Sequence, residues 1–271
     1  MAESFDAGGI ACHVLVDGRR TVSPRFVFRG YHDDVQGPLV RPYLDADGKL
    51  EGRVAALLIE APDGPVLVDA GYGTAAGELD AGHVHDELAS LDMRPWDIRT
   101  VVITHGHADH VGGLIGPRRD PAFGDARHVI HRREADWWAS DAAGELPDDA
   151  GAPALAALRA LLEADLLDPI GGDLEVTKGV RAVEAPGHTP GHLAVVIGDA
   201  LLWAGDTFVT QLNVPHPEWV SAADMDGPGN EATRRALLAR AADHRWVVAA
   251  CHMPVAGAVV RDGAGYALLE R

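Results

Sequence analysis

Residues 105–110 read His-Gly-His-Ala-Asp-His, so four potential metal ligands fall within six positions directly after an apolar run. Ordinary packing rarely produces that density of imidazole and carboxylate. The preceding Val101-Val102-Ile103 is short, β-branched and closed by Thr104, the pattern of a buried strand that ends where the histidines begin. Ligands placed at a strand end can converge on one point. Neutral imidazoles and carboxylates suit zinc, iron, manganese or cobalt, so the stretch predicts a transition-metal site on a loop held by a sheet.

Composition narrows what such a site serves. The 271 residues carry 41 acidic against 23 basic side chains, a formal charge of −18 that repels polyphosphate and anionic membranes. The basic pairs Arg118-Arg119, Arg132-Arg133 and Arg234-Arg235 read as solvated surface, so neither nucleic acid nor membrane is an expected partner. Cys12 and Cys251 are too few for a disulfide framework and read as buried free thiols. No basic, apolar leader opens the sequence and no apolar run approaches the roughly 20 residues of a membrane span, so the cytoplasm is the expected location.

Along the chain, Ile10 to Val16 reads as a strand, with Gly18-Arg-Arg as a turn into its partner. Residues 24–45 mix aromatics with Gly, Pro and charges in no lasting period, an irregular excursion that suits a pocket wall or a homodimer contact. Two strands, Val54 to Glu60 and Val66 to Asp69, flank the turn Pro62-Asp-Gly-Pro65. A helix is expected from His83 to Leu91 and another beginning near Val111, with Asp109 and His110 at its N-terminal end. Further strands follow at Ala126 to Ile130, Val180 to Glu184, Leu193 to Ile197, Leu201 to Ala204 and Trp246 to Ala250. The helices between them lie near Glu134, along a stripe of Ala154, Leu155, Ala157, Leu158, Leu161 and Leu162, and from Glu231 to Asp243. With no linker-like composition, residues 1–271 read as a single domain: two sheets face to face with helices outside.

Three later fragments repeat the chemistry of the opening one: Pro186-Gly-His188-Thr-Pro-Gly-His192, Ala204-Gly-Asp206-Thr and Ala250-Cys-His252-Met-Pro. Each puts an imidazole or carboxylate just past an expected strand. From Asp69 to His252 the order and chemistry of these fragments resemble the metallo-β-lactamase superfamily. The resemblance implies an α/β fold, a four-layer αβ/βα sandwich with two mixed sheets, and a dinuclear centre at their edge. By motif it implies that His105, His107 and His188 hold one divalent ion, that Asp109, His110 and His252 hold the other, and that Asp206 bridges them, zinc being the first choice of metal. A hydroxide between the ions is the implied nucleophile, because coordination lowers the pKa of water from about 15.7 toward about 7. Asp109 or Asp206 passes a proton to the leaving group, and Asp69 orients a ligand imidazole through its other nitrogen. His192 reads as structural, and His83 and His85 as surface.

Within the superfamily, His107 stands where flavodiiron proteins carry Glu, and Asp206 where one β-lactamase subclass carries Cys, so neither activity is expected. The segment from Gly205 to Leu212 with His216-Pro-Glu-Trp219 looks like N-acyl homoserine lactonases and the related organophosphate and aryl-ester hydrolases. Many homoserine lactonases carry a Tyr shortly after the bridging Asp; Thr207, Phe208 and Val209 occupy those places here. Phe208, Trp219, Phe28 and Tyr72 are the expected walls of an apolar pocket. The expected substrate is a small lactone or carboxyl ester, then a phosphotriester. A glyoxalase-type thioesterase shares the ligands but wants a cationic site that the sequence does not reveal, and a non-catalytic metal-binding module is the alternative outside enzymes.

Overall fold

The computed structural model describes residues 3–144 and 148–270. Its first sheet takes seven strands in chain order: β1 (Glu3–Asp6), β2 (Ala11–Val22), β3 (Leu50–Ile59), β4 (Val66–Val68), β5 (Thr100–Val102), β6 (Arg127–His131) and β7 (Leu167–Ile170). The first four pair antiparallel and β4 through β7 pair parallel, which requires crossovers. Those crossovers carry the helices α3 (Val84–Ser90), α4 (Ala108–Val111), α5 (Arg132–Trp138), α6 (Asp141–Gly144) and α7 (Asp148–Glu163). Two short helices, α1 (Pro24–Val27) and α2 (Gly37–Val40), precede them between β2 and β3.

The second sheet runs β14-β13-β12-β11-β10-β9-β8, from β8 (Leu174–Thr177), β9 (Val180–Glu184), β10 (Leu193–Ile197), β11 (Leu201–Trp203) and β12 (Val247–Ala249) to the closing hairpin β13 (Gly257–Asp262) and β14 (Gly265–Glu270). Only β11 and β12 pair parallel, and their crossover is α8 (Gly227–His244). The side chain of Asp226 accepts from Gly229 N to cap that helix, and Arg245 ends it in the left-handed conformation at φ 55°. Among the described residues no helix is long and apolar enough to cross a membrane.

Alternation along β3 explains the layering. Leu57 and Ile59 point into a core between the sheets with Trp203, Val195 and Val247, while Ala56 and Leu58 face the other way, onto Leu88, Trp138 and Leu161 of the helices. A strand covered on both faces is apolar throughout, and β3 is buried at nine of its ten positions. A third cluster packs Leu237 and Leu238 of α8 against Val196, Leu202 and Val248 on the outer face of the second sheet. The layers are therefore helices, sheet, sheet, helix, the expected sandwich of two mixed sheets with helices outside.

Three local expectations change. Gly18 begins no turn: β2 continues to Val22 through a bulge between Val16 and Gly18. A side chain there would meet the Ala81 Cβ and the Asp80 carbonyl oxygen, each 2.7 Å from an added Cβ, so the glycine serves close approach. Residues 24–45 contain helical turns, α1, α2 and a 3-10 turn Arg41–Tyr43, around a small core of Val27, Phe28, Tyr31, Val40, Leu50 and Leu212. On α7 the buried stripe is Ala154, Ala157, Leu158 and Leu161; Leu162, one position further round, is 70% exposed.

Candidate metal centre

The loop after β5 turns at once into α4, which starts at Ala108, three residues before the expected start, and lasts one turn. His105 thus leaves the strand end, His107 stands at the helix entry, and Asp109 and His110 lie on the turn itself. Gly106 between the histidines is required by Trp138: a Cβ would stand 2.1 Å from the indole nitrogen. The remaining three residues come from ends of the second sheet, His188 after β9, Asp206 after β11 and His252 after β12.

All seven meet. Nε2 of His105 and Nε2 of His188 lie 2.9 and 3.1 Å from Nδ1 of His107. On the other side, His252 Nε2 is 3.4 Å from Asp109 Oδ2, and His110 Nε2 is 3.9 Å from Asp109 Oδ1. Asp206 stands between the groups, with Oδ2 3.4 Å from His188 Nε2 and 3.0 Å from His252 Nε2, and Oδ1 3.3 Å from His110 Nε2. The Cys251 sulfur also belongs to the second group, within 4.8 Å of the ligand atoms of His110, Asp206 and His252. Both cysteines are buried and free, as expected, but the sequence held no sign that Cys251 would face the cluster.

Three of the imidazoles are held by their other nitrogen. Asp69 accepts from His110 Nδ1 at 2.8 Å and from the Thr104 amide and hydroxyl, both at 2.8 Å. It does so from a left-handed backbone at φ 62°, a conformation Asp tolerates better than most residues. His188 Nδ1 donates to Asp224 at 2.9 Å, and His252 Nδ1 to the Arg53 carbonyl at 2.7 Å. With Nδ1 donating, Nε2 is the nitrogen of each of these rings that faces Asp206. His192 holds the backbone: its Nε2 accepts from the Asp206 amide at 3.0 Å. The two loops are tied together by Glu134, buried on α5. One of its oxygens accepts from Gly106 N at 2.9 Å and Trp138 Nε1 at 2.8 Å, the other from Thr189 Oγ1 at 2.7 Å and Gly191 N at 2.9 Å.

The electrostatics split along the same line. Burial, then the neighbouring imidazoles, hold His105 well below its ordinary pKa and bring His107 down to about 3, so both present neutral nitrogens. Burial also works against charge on His110 and His252, but Cys251 and Asp206 outweigh it. They leave His110 well above its ordinary value and His252 at about 10. Burial opposes ionised Asp206 as well, yet His252 and His110 hold it well below the carboxylate range. Nε2 of His110 and Oδ1 of Asp206 are buried with no hydrogen-bond partner. Unprotonated imidazoles beside carboxylates that draw in positive charge, with orphaned donor atoms between them, fit divalent cations.

A cavity of about 510 Å³ opens on the cluster. Of the expected walls, Tyr72 lines it and three residues do not. Phe208 is fully buried in the core under α8, while Phe28 and Trp219 pack edge to face at 5.0 Å in the small core of residues 24–45. Their neighbours Val27, the last residue of α1, and Val209 face the cavity instead. Arg20 is among the lining residues that sequence reading missed: a supposed turn hid it, and alternation carried past the bulge would have found it. Of the two histidines read as surface, His83 is exposed, whereas His85 stacks on Phe123 at 5.2 Å.

The sequence profile of the Metallo-beta-lactamase superfamily matches residues 50–252. Probable metallo-hydrolase Rv2300c of Mycobacterium tuberculosis (strain ATCC 25618 / H37Rv) is 31% identical over 184 residues, 56% of this chain and 56% of its own. Hydroxyacylglutathione hydrolase of Rhodopseudomonas palustris (strain ATCC BAA-98 / CGA009) is 31% identical over 134 residues, 49% and 43% of the two chains. The chain thus spans about half the length of these curated relatives. Among solved structures, the dizinc quorum-quenching lactonase AidC, in complex with a product, superposes with a TM-score of 0.88 at 21% identity, covering 100% of this chain and 97% of its own.

Proposed function

The chain belongs to the metallo-beta-lactamase superfamily, and from that membership we propose that it is a dinuclear metal-dependent hydrolase of lactones or carboxyl esters. One observation carries the reading: the Asp206 carboxylate stands between the His105, His107 and His188 nitrogens and the group of Asp109, His110 and His252. The first group and Asp206 would hold one ion, the second group and Asp206 the other. When bound, two such ions supply hydroxide at neutral pH and a Lewis acid for the carbonyl oxygen.

The protein's own groups do the rest. Asp69, Asp224 and the Arg53 carbonyl fix the imidazoles so that their free nitrogens converge. Asp109 lies on the cavity wall, and its carboxylate would take up the proton released as the nucleophile adds to the carbonyl and pass it to the leaving alkoxide. Val22, Val27, Leu50 and Val209 offer an apolar surface to the acyl or ring substituent.

Metal analysis after gentle purification tests the centre: about two ions per chain are expected, and none or one would sink the dinuclear reading. Turnover then orders the substrates. Opening of an acyl lactone by the metal-loaded protein is expected to exceed hydrolysis of an aryl phosphotriester; phosphotriester turnover without any lactone opening reverses the order.

A further inference from the structure

Arg20 is the one arginine or lysine among the described residues lining the cavity. It reaches the site because the bulge at Gly18 lets β2 run on, and its side chain stays 35% exposed toward the opening. The guanidinium is incompletely partnered. One terminal nitrogen lies 3.3 Å from both ring nitrogens of His252, so it stands over the ring and not in line with either atom. Neither nitrogen is free to accept, since Nδ1 donates to the Arg53 carbonyl and Nε2 faces Asp206. The other terminal nitrogen is 3.9 Å from Asp109, beyond hydrogen-bond range, and Nε is buried and unpartnered. Asp109 and Asp206 are moreover the groups that bound cations would neutralise, so the Asp109 carboxylate that pairs loosely with Arg20 at 3.9 Å would be shared with a cation. Glu51, the other acidic lining residue, pairs outward with Arg19 at 3.4 Å.

We propose that Arg20 is an anion-recognition site beside the reacting centre, and that the preferred substrate is a lactone or ester bearing a carboxylate near the scissile bond. A planar fork of donors matches a carboxylate two bonds at a time, and a partly enclosed setting strengthens the pair. The recognition has to be local, because a chain of formal charge −18 opposes anions at long range. Arg20 lies against Asp109 and His252, so the carboxylate sits at that end of the cavity, while the apolar lining takes the remainder of the substrate. The inference rests on the hydrolase reading for the identity of the scissile bond, but not for the anion site itself.

Two lactones that differ only in one substituent provide the test: γ-valerolactone, with a ring methyl, and 5-oxotetrahydrofuran-2-carboxylate, with a carboxylate in its place. Opening is followed by pH-stat on wild type, Arg20→Met and Arg20→Lys, with metal content measured in each. The carboxylated lactone is expected to show the higher kcat/KM, chiefly through KM. Arg20→Met should reduce that selectivity about tenfold to a hundredfold, and Arg20→Lys should restore part of it. Unchanged selectivity in Arg20→Met, or equal loss on both lactones, overturns the proposal. Should the Met variant not fold, Arg20→Gln carries the same comparison. If metal-loaded wild type opens neither lactone, the lactone reading falls and calorimetry decides on Arg20. A wild-type preference for glutarate over pentanoate that Arg20→Met abolishes supports the site, and no such preference overturns it.

Discussion

At the scale of residues, the centre depends on side chains that never face the cavity. Asp224 is buried, accepts a hydrogen bond from His188 Nδ1 at 2.9 Å, and is itself held by the Ser221 amide at 2.8 Å and the Asn230 side chain at 3.0 Å. It fixes both the rotation of the ring and the nitrogen left free, and loss of such a partner typically costs roughly 10–100-fold in metal affinity. Asp224→Asn keeps the shape while weakening the acceptor, so it is expected to lose metal to a competing chelator at about tenfold lower chelator concentration than wild type. Equal retention would show that His188 needs no orienting group. Nothing near Asp224 in sequence announces this role, since its partner lies 36 positions upstream.

At the scale of elements, α5 works as a clamp. Its Glu134 divides its two oxygens between the loop of His105 and the loop of His188, binding a crossover of the first sheet to a turn of the second. All four partners are donors, which an ionised carboxylate can satisfy and an amide cannot. Glu134→Gln turns an NH₂ group toward N–H or O–H donors on one loop. Urea denaturation is expected to show a loss of about 2–3 kcal/mol, and an unchanged midpoint would mean that the loops are held without the clamp. The sequence placed Glu134 correctly on a helix, but a helix assignment does not say which loops its buried face will meet.

At the scale of the whole molecule, the two sheets meet through the core around Leu57 and Trp203 and again at their shared edge. There the first sheet contributes His105, His107, Asp109 and His110, and the second contributes His188, Asp206 and His252. Ions bound between them would therefore join the sheets and favour the folded state by mass action, by about 4 kcal/mol when free metal is 1,000 times its Kd. Chelation is expected to lower Tm by on the order of 10 °C for a chain of this size, and a Tm indifferent to chelator would remove any such bracing. The sequence by itself determined most of the strands and helices and nominated seven residues for the centre, the first because strand and helix type depends on local periodicity, the second through a motif resemblance carried by ligand chemistry packed into short segments. Their convergence, with Asp206 amid imidazoles from both sheets, was decided only by the tertiary structure. The same holds for the cavity wall, where Val27 and Val209 replace Phe28 and Phe208, and for Arg20. Which face of a segment, helical or extended, turns inward depends on bulges and long-range packing, and a step of one residue exchanges wall for core.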